Sequence, residues 1–186
     1  MTQYILEKVN NSWLLVFTGT LETKLDPSKI GEIINRISSK FDLIATQLLE
    51  NRYIWGYRHL YSATWHALMA MKTKRMISKT LSMEVLLYSS GQRQIKKAIA
   101  LLGVKENTEE VVGMLLGKTE QFLIDAFTQV KEDLHLKVNL DLLEDYSSKS
   151  QDVTRMLAND GFKASKFTFS EIEKAILQRV ALLALE

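Results

Sequence analysis

Segments of strand length and segments of helical period alternate along this chain, which predicts an α/β (α+β) fold in one domain. Two further observations support that expectation. The 186 residues suit a single hydrophobic core, and one proline with no repeat or low-complexity tract leaves no visible boundary between domains. Hydrophobic residues make up 46% and charged residues 25%, the balance of an ordinary globular protein. Two layers, a sheet and its helices, are the expected architecture.

The elements follow in order. Trp13-Leu-Leu-Val-Phe-Thr reads as an early strand, paired with residues 4–8 across Asn10-Asn11. Asp26-Pro27 supplies an N-cap and a proline at the first helical position. Ile30, Ile33, Ile34 and Ile37 then mark one apolar helix face. A short strand is weakly signalled around 42–48, and 57–71 reads as a helix with Leu60, Ala67, Leu68 and Met71 toward the core.

The most informative stretch is 83–104. Val85, Leu86 and Leu87 read as a short buried strand and Ser89-Ser90-Gly91 as a turn. A helix follows from near Gln92, with Ile95, Ala98, Ile99 and Leu102 on one face. A helix entered this way offers unpaired N–H groups to an anion, and Arg93, Lys96 and Lys97 add charge beside them. The same pattern also fits an ordinary connection with solvated cations. Residues 111–116 read as another strand, 119–130 as a helix with Phe122, Leu123, Ala126, Phe127 and Val130, 145–149 as a polar loop and 151–157 as a short helix. Gly113 and Gly117 are read as flanking a strand end.

Several classes are excluded or disfavoured. The chain has no cysteine, so disulfides, thiol catalysis and cysteine metal sites are ruled out. Its apolar runs are too short for a membrane helix, and the opening MTQYILEKVNN lacks a signal-peptide layout, so cytoplasm is the expected compartment. His59 and His66 are two helical turns apart, too far for one metal, and His135 stands elsewhere. No H-E-x-x-H, C-x-x-C, nucleophile elbow or phosphate loop is present. Without a mutually placed acid, base or metal, no catalysis and no cofactor are expected.

Charge is segregated. Residues 52–97 hold nine Lys or Arg (Arg52, Arg58, Lys72, Lys74, Arg75, Lys79, Arg93, Lys96, Lys97) and one acid, Glu84. That window carries +8, leaving −6 for the rest of a +2 chain. Clustered cations attract phosphates, unless they point away from one another. Trp55, Tyr57, Tyr61 and Trp65 lie in the same window. Aromatics at helical spacing are core residues more often than stacking platforms, yet beside Arg and Lys they also grip unstacked bases.

The run SMEVLLYSSGQRQIKKAIALLGVK, with Met83, Glu84, Ser90, Gly91, Arg93, Gln94, Ile95, Ala98 and Gly103, resembles the signature of the kinase-binding regulatory subunit of the KEOPS complex. RHLYSATWHALMAMKTKRMISKTL is similar to that family's His-led helix and basic turn, and EIEKAILQRVALLALE resembles its closing helix. The likeness spans roughly 48–104 and 171–185; the acidic middle, 105–169, is weakly similar. The resemblance implies a small, largely antiparallel sheet packed by several helices. It also implies a non-catalytic subunit of a complex that installs threonylcarbamoyl on a tRNA adenosine beside the anticodon. The partners it implies are a small atypical kinase (ATPase), through it the catalytic transferase subunit with its own metal, and the single-stranded 3′ CCA end of tRNA, with no membrane. Two other classes stay open: a protein-only regulator of the kinase, and a stand-alone RNA binder.

Two surfaces follow. The closing helix has a capping box, Thr168 with Glu171 or Ser170 with Glu173, and ends in six consecutive apolar residues, 180–185. Such an end is either buried in its own core or covered by a partner. By resemblance, Ile172, Ile176, Val180 and Leu183 face the kinase or support the surface that does. Burying two or three aliphatic side chains there contributes about 4–8 kcal/mol gross, before association costs. The tRNA surface is expected from Lys72, Lys74, Arg75, Lys79, Arg93 and Lys96, with Gln94 as a polar contact.

Overall fold

A computed structural model describes residues 2–24, 26–159, 161–162 and 168–185. The chain runs β1 (Ile5–Val9), β2 (Ser12–Leu21), α1 (Pro27–Lys40), β3 (Ala45–Glu50), α2 (Gly56–Lys72), α3 (Leu81–Ser90) and α4 (Ile95–Leu102). It continues through β4 (Glu110–Gly117), α5 (Glu120–Asp133), β5 (Leu136–Val138), α6 (Tyr146–Asn159) and α7 (Phe169–Leu183). Short 3-10 turns lie at Asn51–Tyr53 and Leu140–Leu143. The fold is α+β, as expected, with a wholly antiparallel sheet of order β1-β2-β4-β3; β5 pairs with the far end of β2.

The sheet is covered on both faces, which corrects the two-layer expectation. Leu14 and Val16 of β2, with Val112, Met114 and Leu116 of β4, pack beneath α2 and α3. Leu15 and Phe17, with Val111 and Leu115, pack against α1 and α5. Successive strand residues point to opposite faces, so a strand buried on both sides must be apolar throughout. That is why β2 and β4 read as continuous hydrophobic runs. A third cluster joins Trp55 to Val153, Met156 and Leu157 of α6 and to Ile172 and Ile176 of α7.

The expected hairpin is present: Asn10, at φ 59°, turns β1 into β2. Asp26 caps α1 by accepting from the Ser28 N–H at 2.7 Å, and Ile30, Ile34 and Ile37 are buried on its inner face. Met71, expected in the core at the end of α2, is exposed. Phe122, expected on the inner side of α5, is half exposed.

Two local readings are overturned. Residues 85–87 are the middle of α3, not a strand. Thr80 caps this helix by accepting from the Met83 N–H, and Gly91 ends it in the left-handed conformation at φ 59°. The expected Ser89-Ser90-Gly91 turn is therefore its last residues and its C-cap. Because α3 is buried on nearly every side, it lacks the polar stripe that reveals a helix, and an all-apolar run does not separate helix from strand. Residues 145–149 belong largely to α6 rather than to a loop, with Asp145 accepting from the Ser148 N–H at its start. Gly113 and Gly117 both lie within β4, Gly113 in its middle.

Candidate functional site

Helices α2 and α7 lie side by side on the outer face, and the groove between them is the first surface. Arg58, the adjacent Tyr61 and Ser62, Trp65, Met69 and Lys72 fall at helical spacing along α2 and form its outward stripe. Tyr57, Arg58, Tyr61, Ser62 and Trp65 line a groove of about 530 Å³, with Glu7 of β1 and Leu177 of α7 opposite. Trp65 is 41% exposed. The Tyr57 hydroxyl donates to the Glu7 carboxylate, and Arg58 pairs with Glu173 at 3.0 Å across the helix pair. Burial and the adjacent carboxylate together push the Tyr57 phenol far above its ordinary range, so it stays a protonated donor. The groove thus has an aromatic and aliphatic floor with polar ends.

Helix α7 begins with the Thr168–Glu171 capping box: Thr168 Oγ1 accepts from the Glu171 N–H, and the Glu171 carboxylate accepts from the Thr168 N–H at 2.8 Å. Ile172, Ile176, Val180 and Leu183 all face inward. The first two join the α6 cluster and the last two the main core beneath α2 and α3. A stripe at this spacing settles on the largest apolar surface available, here the protein's own. All four, expected by resemblance to face the kinase or to support the surface that does, are buried against the protein itself. The large apolar side chains that α7 and its end expose are Phe169, Leu182 (43% exposed) and Leu185 (82%).

The second surface is a cavity of about 450 Å³ where α2, the 73–80 loop, the α3–α4 link and the end of α7 meet. Arg75 and Arg93 line it, with His66, Tyr88 and Leu183 to Leu185. Arg93 Nη1 donates to the Leu183 carbonyl at 3.5 Å. The His66 ring stacks on Tyr88, 5.7 Å between centroids and 16° between planes. Burial lowers the His66 pKa below 6.5, which favours a neutral imidazole. Of the expected RNA-contacting residues, the structure thus brings Arg75 and Arg93 together at one opening. Lys72, Lys74, Lys79, Gln94 and Lys96 are exposed but outside this lining. Lys72 reaches Asn10 Oδ1 at 2.8 Å, and Gln94 stands at the N-cap of α4. Ile95 and Ile99, expected to share an inner face with Ala98 and Leu102, are half exposed; only the latter two are buried.

The 73–80 loop is held from inside. Glu84, fully buried, accepts from the backbone N–H groups of Ile77 and Ser78 (3.0 and 2.8 Å) and from the Ser78 hydroxyl (2.6 Å). The sequence marked Glu84 only as the single acid among nine cations; its role as the anchor of the basic loop was not legible. Sequence reasoning does not find His66 and Tyr88 as cavity residues: it weighs His66 only as a metal ligand, and Tyr88 falls between the residues it reads as strand (85–87) and as turn (89–91).

His59 is a packed, hydrogen-bonded core residue. Its Nδ1 accepts from the Trp55 N–H at 3.1 Å, and its Nε2 donates to the Ser89 carbonyl at 2.9 Å, which fixes the neutral tautomer. Burial lowers its pKa from 6.5 to about 4. The folded state therefore binds fewer protons than the unfolded chain between those values. The stability is fully present above about pH 6.5 and is lost as pH falls through 4, by about 3 kcal/mol at the limit. Urea denaturation at pH 7 and pH 4.5 should show a larger fall for the wild type than for His59→Gln. Equal falls would remove His59 as the source.

Among the described residues no group of three or more His, Asp or Glu is placed to hold a metal, and no helix is long and apolar enough to cross a membrane. The described residues present a groove with an aromatic and aliphatic floor and, separately, a cavity with two guanidinium groups. The chain belongs to the family of kinase binding protein CGI-121, whose model matches residues 26–184. It is also 27% identical over 121 residues to the regulatory protein Cgi121 of Methanocaldococcus jannaschii, an alignment covering 65% of this chain and 73% of that relative.

Proposed function

We propose that this chain is a non-catalytic subunit of a KEOPS complex that docks on the small kinase through the α2–α7 groove and holds the single-stranded 3′ end of tRNA in the Arg75–Arg93 cavity. The observation that carries the docking half is the exposure of Trp65 over a groove shared with Leu177, in a family described as kinase-binding. Exposed aromatic anchors in concave surroundings are where interface energy concentrates. The RNA half is supported by two cations and a stacked His66–Tyr88 pair around one opening. A strand end offers phosphates and base faces without duplex shape, so a few cations and a π-face suit it.

Trp65→Glu places a charge in the groove without touching the core, and it should reduce capture by the kinase at least tenfold in a pull-down. Unchanged capture would move the interface elsewhere. Val180→Glu, by contrast, is expected to unfold the domain, because Val180 is buried in the core. For the RNA half, filter binding compares intact tRNA with tRNA trimmed of its CCA end. Loss on trimming is the expected result; equal binding of both would assign the contact to the tRNA body, and no binding of either would leave a protein-only regulator.

A further inference from the structure

A third opening lies on the other side of the α3–α4 link. It is a cleft of about 280 Å³ between the Asn51–Tyr53 turn, α4, α6 and α7, and its lining includes Gln92, Arg52, Lys97, Arg155, Arg179 and Asp152. Four cationic side chains and one carboxylate thus face it among the described residues. Asp152 is shared: Arg52 binds it through two bonds of 2.6 and 2.8 Å, and Arg155 approaches it only to 3.9 Å. Lys97 has no ion pair among the described residues and is exposed, as is most of the Arg155 side chain. Leaving Arg179 aside, Arg52, Lys97 and Arg155 outnumber the one acid of the cleft among the described residues.

Its position relative to the Arg75–Arg93 cavity is set by two elements. On the α3–α4 link, Gln92 faces the cleft and the next residue, Arg93, faces the cavity. On α7, Arg179 lines the cleft and Leu183 lines the cavity, one helical turn or roughly 6 Å further along the axis. The Arg179 stem packs so closely against Gly91 that a Cβ there would lie 2.6 Å from its Cγ, which pins the divide between the two openings.

We infer that this cleft is a phosphate-binding track for the nucleotides preceding a strand end held in the Arg75–Arg93 cavity, with Lys97 and Arg155 as its phosphate contacts. The inference rests on the RNA half of the proposed function. A chain leaving the cavity over the link at Gln92–Arg93 passes directly onto these cations. Guanidinium and ammonium groups bind backbone phosphates without regard to base, so the track adds affinity and length dependence rather than sequence preference.

The test uses the full chain and two single-stranded RNAs with the same 3′ sequence, one of three nucleotides and one of eight. For the Lys97→Ala/Arg155→Ala double variant, affinity for the longer RNA should fall about tenfold. Its salt slope should fall by about 1.4, two contacts at about 0.7 each, while the three-nucleotide probe binds as to wild type. Wild-type affinity of the variant for the longer RNA overturns the track. If the wild type binds both lengths equally and Arg93→Ala abolishes both, the end site stands and the track falls. If the wild type binds neither RNA, both this inference and the RNA half of the proposed function fall together.

Discussion

Gly113→Ala is expected to destabilise the domain by about 3–5 kcal/mol, a large loss for a single methyl group. Gly113 sits in the middle of β4, hydrogen-bonded between β2 and β3 and directly opposite Phe17. The Phe17 ring lies over the space a side chain would take: an added Cβ would fall 2.0 Å from the ring tip and 2.4 and 2.5 Å from its flanking atoms. The ring has nowhere to go, because Phe17 is fully buried and packs on Phe127 at 5.1 Å between centroids. Either β4 shifts and loses pairing on both sides, or the ring breaks its contact with α5. Urea denaturation measures the loss. A double-mutant cycle assigns it: in Phe17→Leu the same Gly113→Ala change should cost far less, because the clashing atoms are gone. Equal costs in both backgrounds would show that the strain comes from the backbone and not from the ring.

The parts of this fold that were legible are those where local chemistry and tertiary environment agree. Asp26-Pro27 followed by isoleucines at the helical period marks a helix start, and the closing helix carries a capping box, which the structure places at Thr168 and Glu171 rather than at Ser170 and Glu173. The layering was not legible because a continuous run such as Leu14 to Phe17 records that both faces are covered, not by what. The α3 segment was misread for the same reason: burial on all sides erases the period that separates helix from strand, and only Thr80 and Gly91 mark its ends. The candidate surfaces divide likewise. The closing helix was identified, but its regular apolar stripe is the part that packs inward, and the outward surface is the residue of that pattern together with Trp65 from a distant helix. Of the basic residues, composition located the window, but only the fold selects Arg75 and Arg93 from it and adds Arg155 and Arg179 from more than fifty positions away.

Lys149→Met should cost about 2–4 kcal/mol, and the cost should grow as pH rises. Lys149 is almost fully buried, and its ammonium donates to Asn51 Oδ1 (3.0 Å), the Ile54 carbonyl (3.0 Å) and the Leu143 carbonyl (2.8 Å). One cation thereby joins α6 to both 3-10 turns and satisfies three oxygens that are cut off from water. Methionine nearly matches the volume but donates nothing, and each orphaned buried acceptor costs about 1–3 kcal/mol. Part of that is offset, because burying the charge is itself unfavourable and lowers the Lys149 pKa from 10.5 to about 8. Since the folded pKa lies below the unfolded one, the folded state binds fewer protons between about pH 8 and 10.5, and the wild type gains stability from this group across that window. Methionine has no proton to lose and shows no such gain, so the difference between the two proteins should widen from pH 7.5 to pH 10. Groups other than Lys149 are common to both proteins, so their own pH dependence drops out of the difference. Hydrogen exchange should speed most in the 140–159 segment, which this side chain ties down. A difference that stays constant with pH would mean that Lys149 matters for its packing and not for the charge it buries.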